Sequence, residues 1–170
     1  NTRGALRPFL RPEWQIEAGH LPNEVFAAWK AAVEIAKTSP VSQAYAAFSD
    51  WSLAMVARLH EANVPIMAGT DTPIGVLTLG FSLHLEMETL VRAGLSPLEA
   101  LASATIRPAE FFGLENKMGR VAVSQSADLI LLRQNPLDDI ANSRTVDTVI
   151  TRGEILDRAA LSSLLDEAAP

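Results

Sequence analysis

The sequence predicts a mixed α/β chain, and three observations predict it. Apolar residues recur at helical spacing through most of the first 110 or so positions. A short apolar run, Val64-Pro65-Ile66-Met67-Ala68, opens straight into Gly69-Thr70-Asp71-Thr72-Pro73, a string that suits no regular element. After Gly113 the pattern changes to short aliphatic and β-branched runs that read as strands. The chain therefore divides into an extended arm over 1–22, a helical part over 23–114 and a β part with a closing helix over 115–170.

The elements follow in order. Three prolines and little periodicity make 1–22 an arm or loop. Asn23 is placed to cap a helix to about Lys37, with Glu24 in its first turn and an apolar stripe of Val25, Trp29, Val33 and Ala36. Pro40 breaks the pattern, and a second helix over about 42–62 places Phe48, Trp51, Met55 and Leu59 at core spacing. Asn63 is placed to end it. The run at 64–68 reads as a buried strand, since proline is tolerated near a strand start. A helix returns from about Leu79 to Ala93 and stops at Gly94. Ser96, Pro97 and Glu99 form a capping-box pattern for a helix to about Ala104. A short turn around 108–112 ends at Gly113. Ala127–Leu132 reads as a largely buried strand, and 146–151 with 154–156 reads as a hairpin turning at Arg152-Gly153. A last helix covers about 158–167.

Composition narrows the function classes. A net charge of -6 argues against a nucleic-acid partner, which needs a basic face, and gives no attraction to an anionic membrane. No apolar run approaches the roughly 18 residues of a membrane span. With no cysteine there is neither disulfide nor thiolate metal site, which fits a cytoplasmic protein. No signal-peptide pattern opens the chain, and the absence of an initiator Met suggests a protein that begins upstream.

The strongest chemical feature is the junction at Ala68-Gly69-Thr70-Asp71. In parallel α/β folds catalytic groups sit where strands give way to loops. A carboxylate there can ligate a metal or take a proton from metal-bound water. Asp71 can equally serve only to shape a turn before Pro73. His84 shares a helix face with Glu88, so it either lines a pocket or pairs with that carboxylate. His60, near a helix end, suits a contact with the helix dipole. Asp138-Asp139 after Asn135-Pro136 reads as a cap, since the oxygen pattern of a calcium loop is missing. No phosphate loop and no Gly-x-Ser-x-Gly elbow is present.

Four strings in order, VPIMAGTDTP, GFSLHLEMETLVRAGLSPLEALASAT, RPAEFFGL and ADLILLRQNPLDDI, resemble the C-terminal region of the amidohydrolase superfamily. The likeness is to its imidazolonepropionase-like and prolidase-like branch and runs over about 41–157. It implies the last strand and helices of a metal-dependent (β/α)8 barrel, joined to C-terminal strands of a small β-sandwich domain. It implies Asp71 as metal ligand and proton shuttle, zinc as the metal, Thr72 and His84 on the substrate side, and hydrolysis of a C–N bond in an amide, cyclic amide or dipeptide-like small molecule. The family's His-x-His is missing, and His20, His60 and His84 are the only histidines. A whole barrel also needs roughly 200 or more residues. The expected partner is accordingly an upstream barrel segment or a second copy, and the isolated chain is expected to be inactive. The competing reading is a catalytically empty module that serves assembly or interaction.

Overall fold

The structure, a computed structural model, describes residues 7–168. Its elements are α1 (Trp14–Ala18), α2 (Asn23–Thr38), α3 (Gln43–Glu61), α4 (Ser82–Arg92), α5 (Pro97–Ser103), α6 (Ile106–Phe111), β1 (Leu129–Leu132), β2 (Val146–Thr151), β3 (Glu154–Leu156) and α7 (Arg158–Ala168). Helices α1 to α6 precede the three strands, and α7 follows them.

Residues 1–6 of the expected arm lie outside the described residues, and the remainder is not extended. It forms a 3-10 turn at Pro8–Leu10 and then α1. Trp14 and Ala18, one turn apart, are buried with Val33 of α2, and Phe9, Leu21, Phe26, Trp29 and Val76 pack around them. Burial of an indole outweighs the weak helix tendency of a proline-rich stretch. Arg7 then donates to Ala36 O and Ser39 O at 3.0 and 2.9 Å, which closes the C-terminal end of α2.

A second cluster forms around Met87, Leu90, Leu95, Ala100 and Ile140. It joins α4, α5 and a 3-10 turn, Ile140–Arg144, capped by Asp139. Local signals hold this layer in register. Ser96 accepts from Glu99 N, and Glu99 reaches back to Ser96 N at 2.8 Å, completing the capping box. Asn63, at φ 57, ends α3: Val64 N–H bonds Leu59 O and Asn63 N–H bonds His60 O. Gly94, at φ 115, ends α4 with the same pair of bonds, to Leu90 O and Val91 O.

The run at 64–68 does not pair into a sheet. Its burial nevertheless alternates. Ile66 and Ala68 pack against the second cluster while Val64 and Met67 are exposed. The Ala68 N–H bonds Ser103 O at 3.0 Å and fastens the far end of the run. The expected buried strand is thus a half-buried segment without a strand partner, because no strand among the described residues lies beside it.

The α3 stripe departs in the same way. Phe48 and Trp51, expected in the core, are 61% and 56% exposed and stack on each other at 5.8 Å. The total accessible surface, 11116 Å², explains why. A compact monomer of 18.3 kDa exposes about 8,100 Å². The chain thus exposes about 3,000 Å² more than a compact monomer of its mass, exposed aromatic residues such as Phe48 and Trp51 among it.

The β part is a three-stranded antiparallel sheet in the order β1-β2-β3. Leu129 pairs Ile150, Ile130 pairs Val149, and Val149 pairs Leu156. Arg152 and Gly153 have φ 51 and 84, the two left-handed residues of a tight hairpin. α7 packs on β2 and β3. β1 is less buried than its composition suggests, with Ile130 59% and Leu131 52% exposed, because it forms an edge with one neighbour.

Candidate functional site

The segment from Gly69 to Thr78 leaves the fastened Ala68 and returns to the chain at α4. Asp71 stands exposed in it with φ 53, a left-handed conformation that aspartate tolerates better than most side chains. Its carbonyl accepts from Ile74 N at 3.1 Å, so the expected turn is formed. Thr70 and Thr72 join hydroxyls at 2.7 Å across it. Val76 is also left-handed, at φ 62, which for a β-branched residue stores about 1–3 kcal/mol of strain.

Contacts from elsewhere in the chain reach both limbs. Glu86 of α4 accepts from Gly69 N at 3.5 Å, and burial raises the pKa of its carboxyl against the lowering effect of that N–H. Trp14 donates its indole N–H to Val76 O at 2.9 Å. The buried Thr78 donates to Glu17 at 3.0 Å. Glu17 in turn holds Arg144 at 2.9 Å, Arg144 holds Glu88 at 3.0 Å, and Arg11 lies 3.5 Å from the same Glu88 oxygen. Trp14, Glu17, Thr78 and Arg144 carry no mark of this in the sequence, because their partners stand 56 to 127 positions away. The one local hint was a tryptophan inside a proline-rich arm.

His84 makes its hydrogen bond outside its own helix. Its Nδ1 lies 2.9 Å from the hydroxyl of the buried Ser143, while the Glu88 carboxylate is engaged by two arginines. Burial first, and the Arg144 charge second, lower its pKa to about 4. It is therefore a neutral ring at pH 7 that ties α4 to the 140–144 turn. His60 lies 3.7 Å from Glu99 in the last turn of α3, in keeping with a helix-end role. His20 donates its Nδ1–H to Leu165 O, 3.2 Å away.

The donor set does not by itself make a metal centre. Among the described residues no group of three or more His, Cys, Asp or Glu side chains could hold a metal ion. A catalytic zinc takes three protein ligands and one open position. Asp71 offers one carboxylate, and Thr72 a hydroxyl one residue on.

A family model for the amidohydrolase family matches residues 46–156. The chain belongs to the amidohydrolase family. Within that family it is similar to the imidazolonepropionase of Paracidovorax citrulli, at 37% identity over 114 residues, covering 66% of this chain and 26% of that protein. Among solved structures it is similar to a bottromycin amidohydrolase, with a TM-score of 0.69 and 29% identity over 98% of this chain and 38% of that one. It is also similar to a Xaa-Pro dipeptidase, with a TM-score of 0.57 and 25% identity over 77% of this chain and 33% of that one. The chain thus spans well under half the length of these amidohydrolase relatives. The imidazolonepropionase-like and prolidase-like branch expected from the motifs is the one these matches show, and the chain is a partial region of it. Among the described residues, no helix is long and apolar enough to cross a membrane.

Proposed function

We propose that this chain is the C-terminal part of a metal-dependent hydrolase that cleaves a C–N bond in an amide, cyclic amide or dipeptide-like small molecule. The observation that carries the reading is the exposed Asp71 carboxylate on an irregular loop fastened on both limbs, inside the stretch that matches the family. In this reading the run at 64–68 is the last barrel strand, waiting for strands that stand upstream, and β1–β3 belong to a small sandwich domain. Asp71 is one metal ligand and the acceptor of the proton released when water attacks. Thr72 faces the substrate. The Ser143 contact of His84 supports a structural duty for that ring, so the substrate side rests on Thr72.

A divalent metal, for which zinc is the proposed identity, would activate water and polarise the scissile carbonyl. The missing ligands would come from an upstream segment, and the compartment would be the cytoplasm. A second reading, an assembly module without catalysis, is favoured by the surplus of about 3,000 Å² of surface.

One experiment separates them. Calorimetry with zinc and an amide-hydrolysis assay are run on the 170-residue chain and on a protein extended upstream by a barrel segment. Weak zinc binding and no turnover are expected from the short chain. Turnover is expected from the long one, and Asp71→Asn there should reduce kcat by at least about 100-fold with the fold intact, on the scale of losing a general base. Full activity of that variant refutes the assignment of Asp71. Tight stoichiometric zinc binding by the short chain refutes the claim that ligands are missing.

A further inference from the structure

We propose that α1 is a positioning element for the Asp71 loop, with Trp14 and Glu17 fixing the limb of the loop that follows Asp71. The fastening stands on geometry alone, while its effect on catalysis rests on the reading of Asp71 given above.

The segment from Gly69 to Thr78 contains a single 3-10 turn, Ile74–Val76, and two left-handed residues that are not glycine, Asp71 and Val76. Backbone of this kind persists only when the surroundings over-determine it. α1 supplies that determination. The Trp14 indole N–H donates to the carbonyl of Val76, the residue held in the unfavoured conformation, at 2.9 Å. The Val76 side chain packs into the cluster that buries Trp14, so one residue is gripped through both backbone and side chain. Two positions on, the hydroxyl of Thr78, itself 3% exposed, donates to Glu17 Oε2 at 3.0 Å.

Trp14 and Glu17 are three apart on α1 and so present neighbouring side chains to one surface. Glu17 is fixed in its own right, because its other oxygen receives Arg144 at 2.9 Å. Glu86 holds the opposite limb at Gly69. Burial of the Trp14 ring accounts for its packing. It does not account for the aim of the N–H at the carbonyl of the strained Val76.

The test compares Trp14→Phe, which keeps a ring in the cluster and removes the donor, with Trp29→Phe, the same change at another residue of that cluster. Amide hydrogen exchange is read at Ile74 and Leu77, whose N–H groups bond Asp71 O and Ile74 O. Exchange at both should rise about threefold to tenfold in Trp14→Phe, the scale of one lost hydrogen bond, with α4 and α5 amides unchanged. Trp29→Phe should leave the loop as in the parent. If Trp14→Phe does not fold, Thr78→Val removes the second anchor and should raise exchange at Leu77 in the same way. In the upstream-extended protein, Trp14→Phe should reduce kcat severalfold with KM nearly constant.

Unchanged loop exchange overturns the proposal. So does an equal rise in both tryptophan variants, which would mean general loosening, and so does a loosened loop with unchanged kcat. Activity retained by Asp71→Asn is a different failure: it removes the reading of Asp71 and leaves the exchange result in place.

Discussion

Lowering the pH should destabilise this chain through His84 in particular. The ring pKa is about 4 in the fold against 6.5 for an unperturbed histidine, first because burial disfavours the charged ring and second because Arg144 repels it. Arg11 adds to that repulsion and Glu88 opposes it. The sign follows from proton binding. Above 6.5 the ring is neutral in both folded and unfolded chains and contributes no pH dependence. Between 6.5 and 4 the unfolded chain takes up the proton and the folded chain does not, so stability falls as pH falls.

A full shift of that size is worth about 3 kcal/mol at pH 4. The ring retains some solvent contact, so screening reduces this to about 2 kcal/mol. His84→Gln can keep a hydrogen bond to Ser143 and cannot titrate. Urea unfolding of both proteins at pH 7.5 and pH 4 isolates the effect, since carboxylates remote from the ring cancel in the difference. The parent should lose about 2 kcal/mol more than the variant over that interval, an extra midpoint shift of about 1 M at an m-value of about 2 kcal/mol/M. An extra loss under about 0.5 kcal/mol, or a ring titrating near 6.5 by NMR in the folded chain, would refute the burial argument.

Two further outcomes concern the scaffold around the loop. Arg144→Met takes the cation from Glu17 and leaves Glu88 only its 3.5 Å contact with Arg11; with these side chains 14% and 23% exposed, the chain should lose about 2–4 kcal/mol in urea unfolding. Because Glu17 also anchors Thr78, the same variant should raise amide exchange at Leu77 more than at α5. Gly94→Ala places a side chain at φ 115 with open space around it, so only backbone strain acts. A loss of about 1–2 kcal/mol with an unchanged circular dichroism spectrum is expected, and a neutral result would show that α4 can end in another way.

Elements whose signals are local were legible in the amino-acid sequence. The Ser96-Pro97-Glu99 cap, the stops at Asn63 and Gly94, and the Arg152-Gly153 hairpin all formed where their side chains and backbone freedom placed them. It also determined the family, because ordered strings such as VPIMAGTDTP survive as text whether or not their partners are present. Periodicity, in contrast, reports which face of an element is apolar and not what covers it. For that reason Phe48, Trp51, Ile130 and Leu131 read as core yet stand in water, and the run at 64–68 reads as a strand yet has no ladder. Strand pairing and burial need a second surface, and a single segment cannot encode whether one is there. Which distant groups meet was set by packing: Trp14 at Val76, Glu17 at Thr78, Glu86 at Gly69, and His84 at Ser143. Each of these pairs joins residues 17 or more positions apart. Contacts of that kind are set by how helices pack, and no spacing rule along the chain announces them.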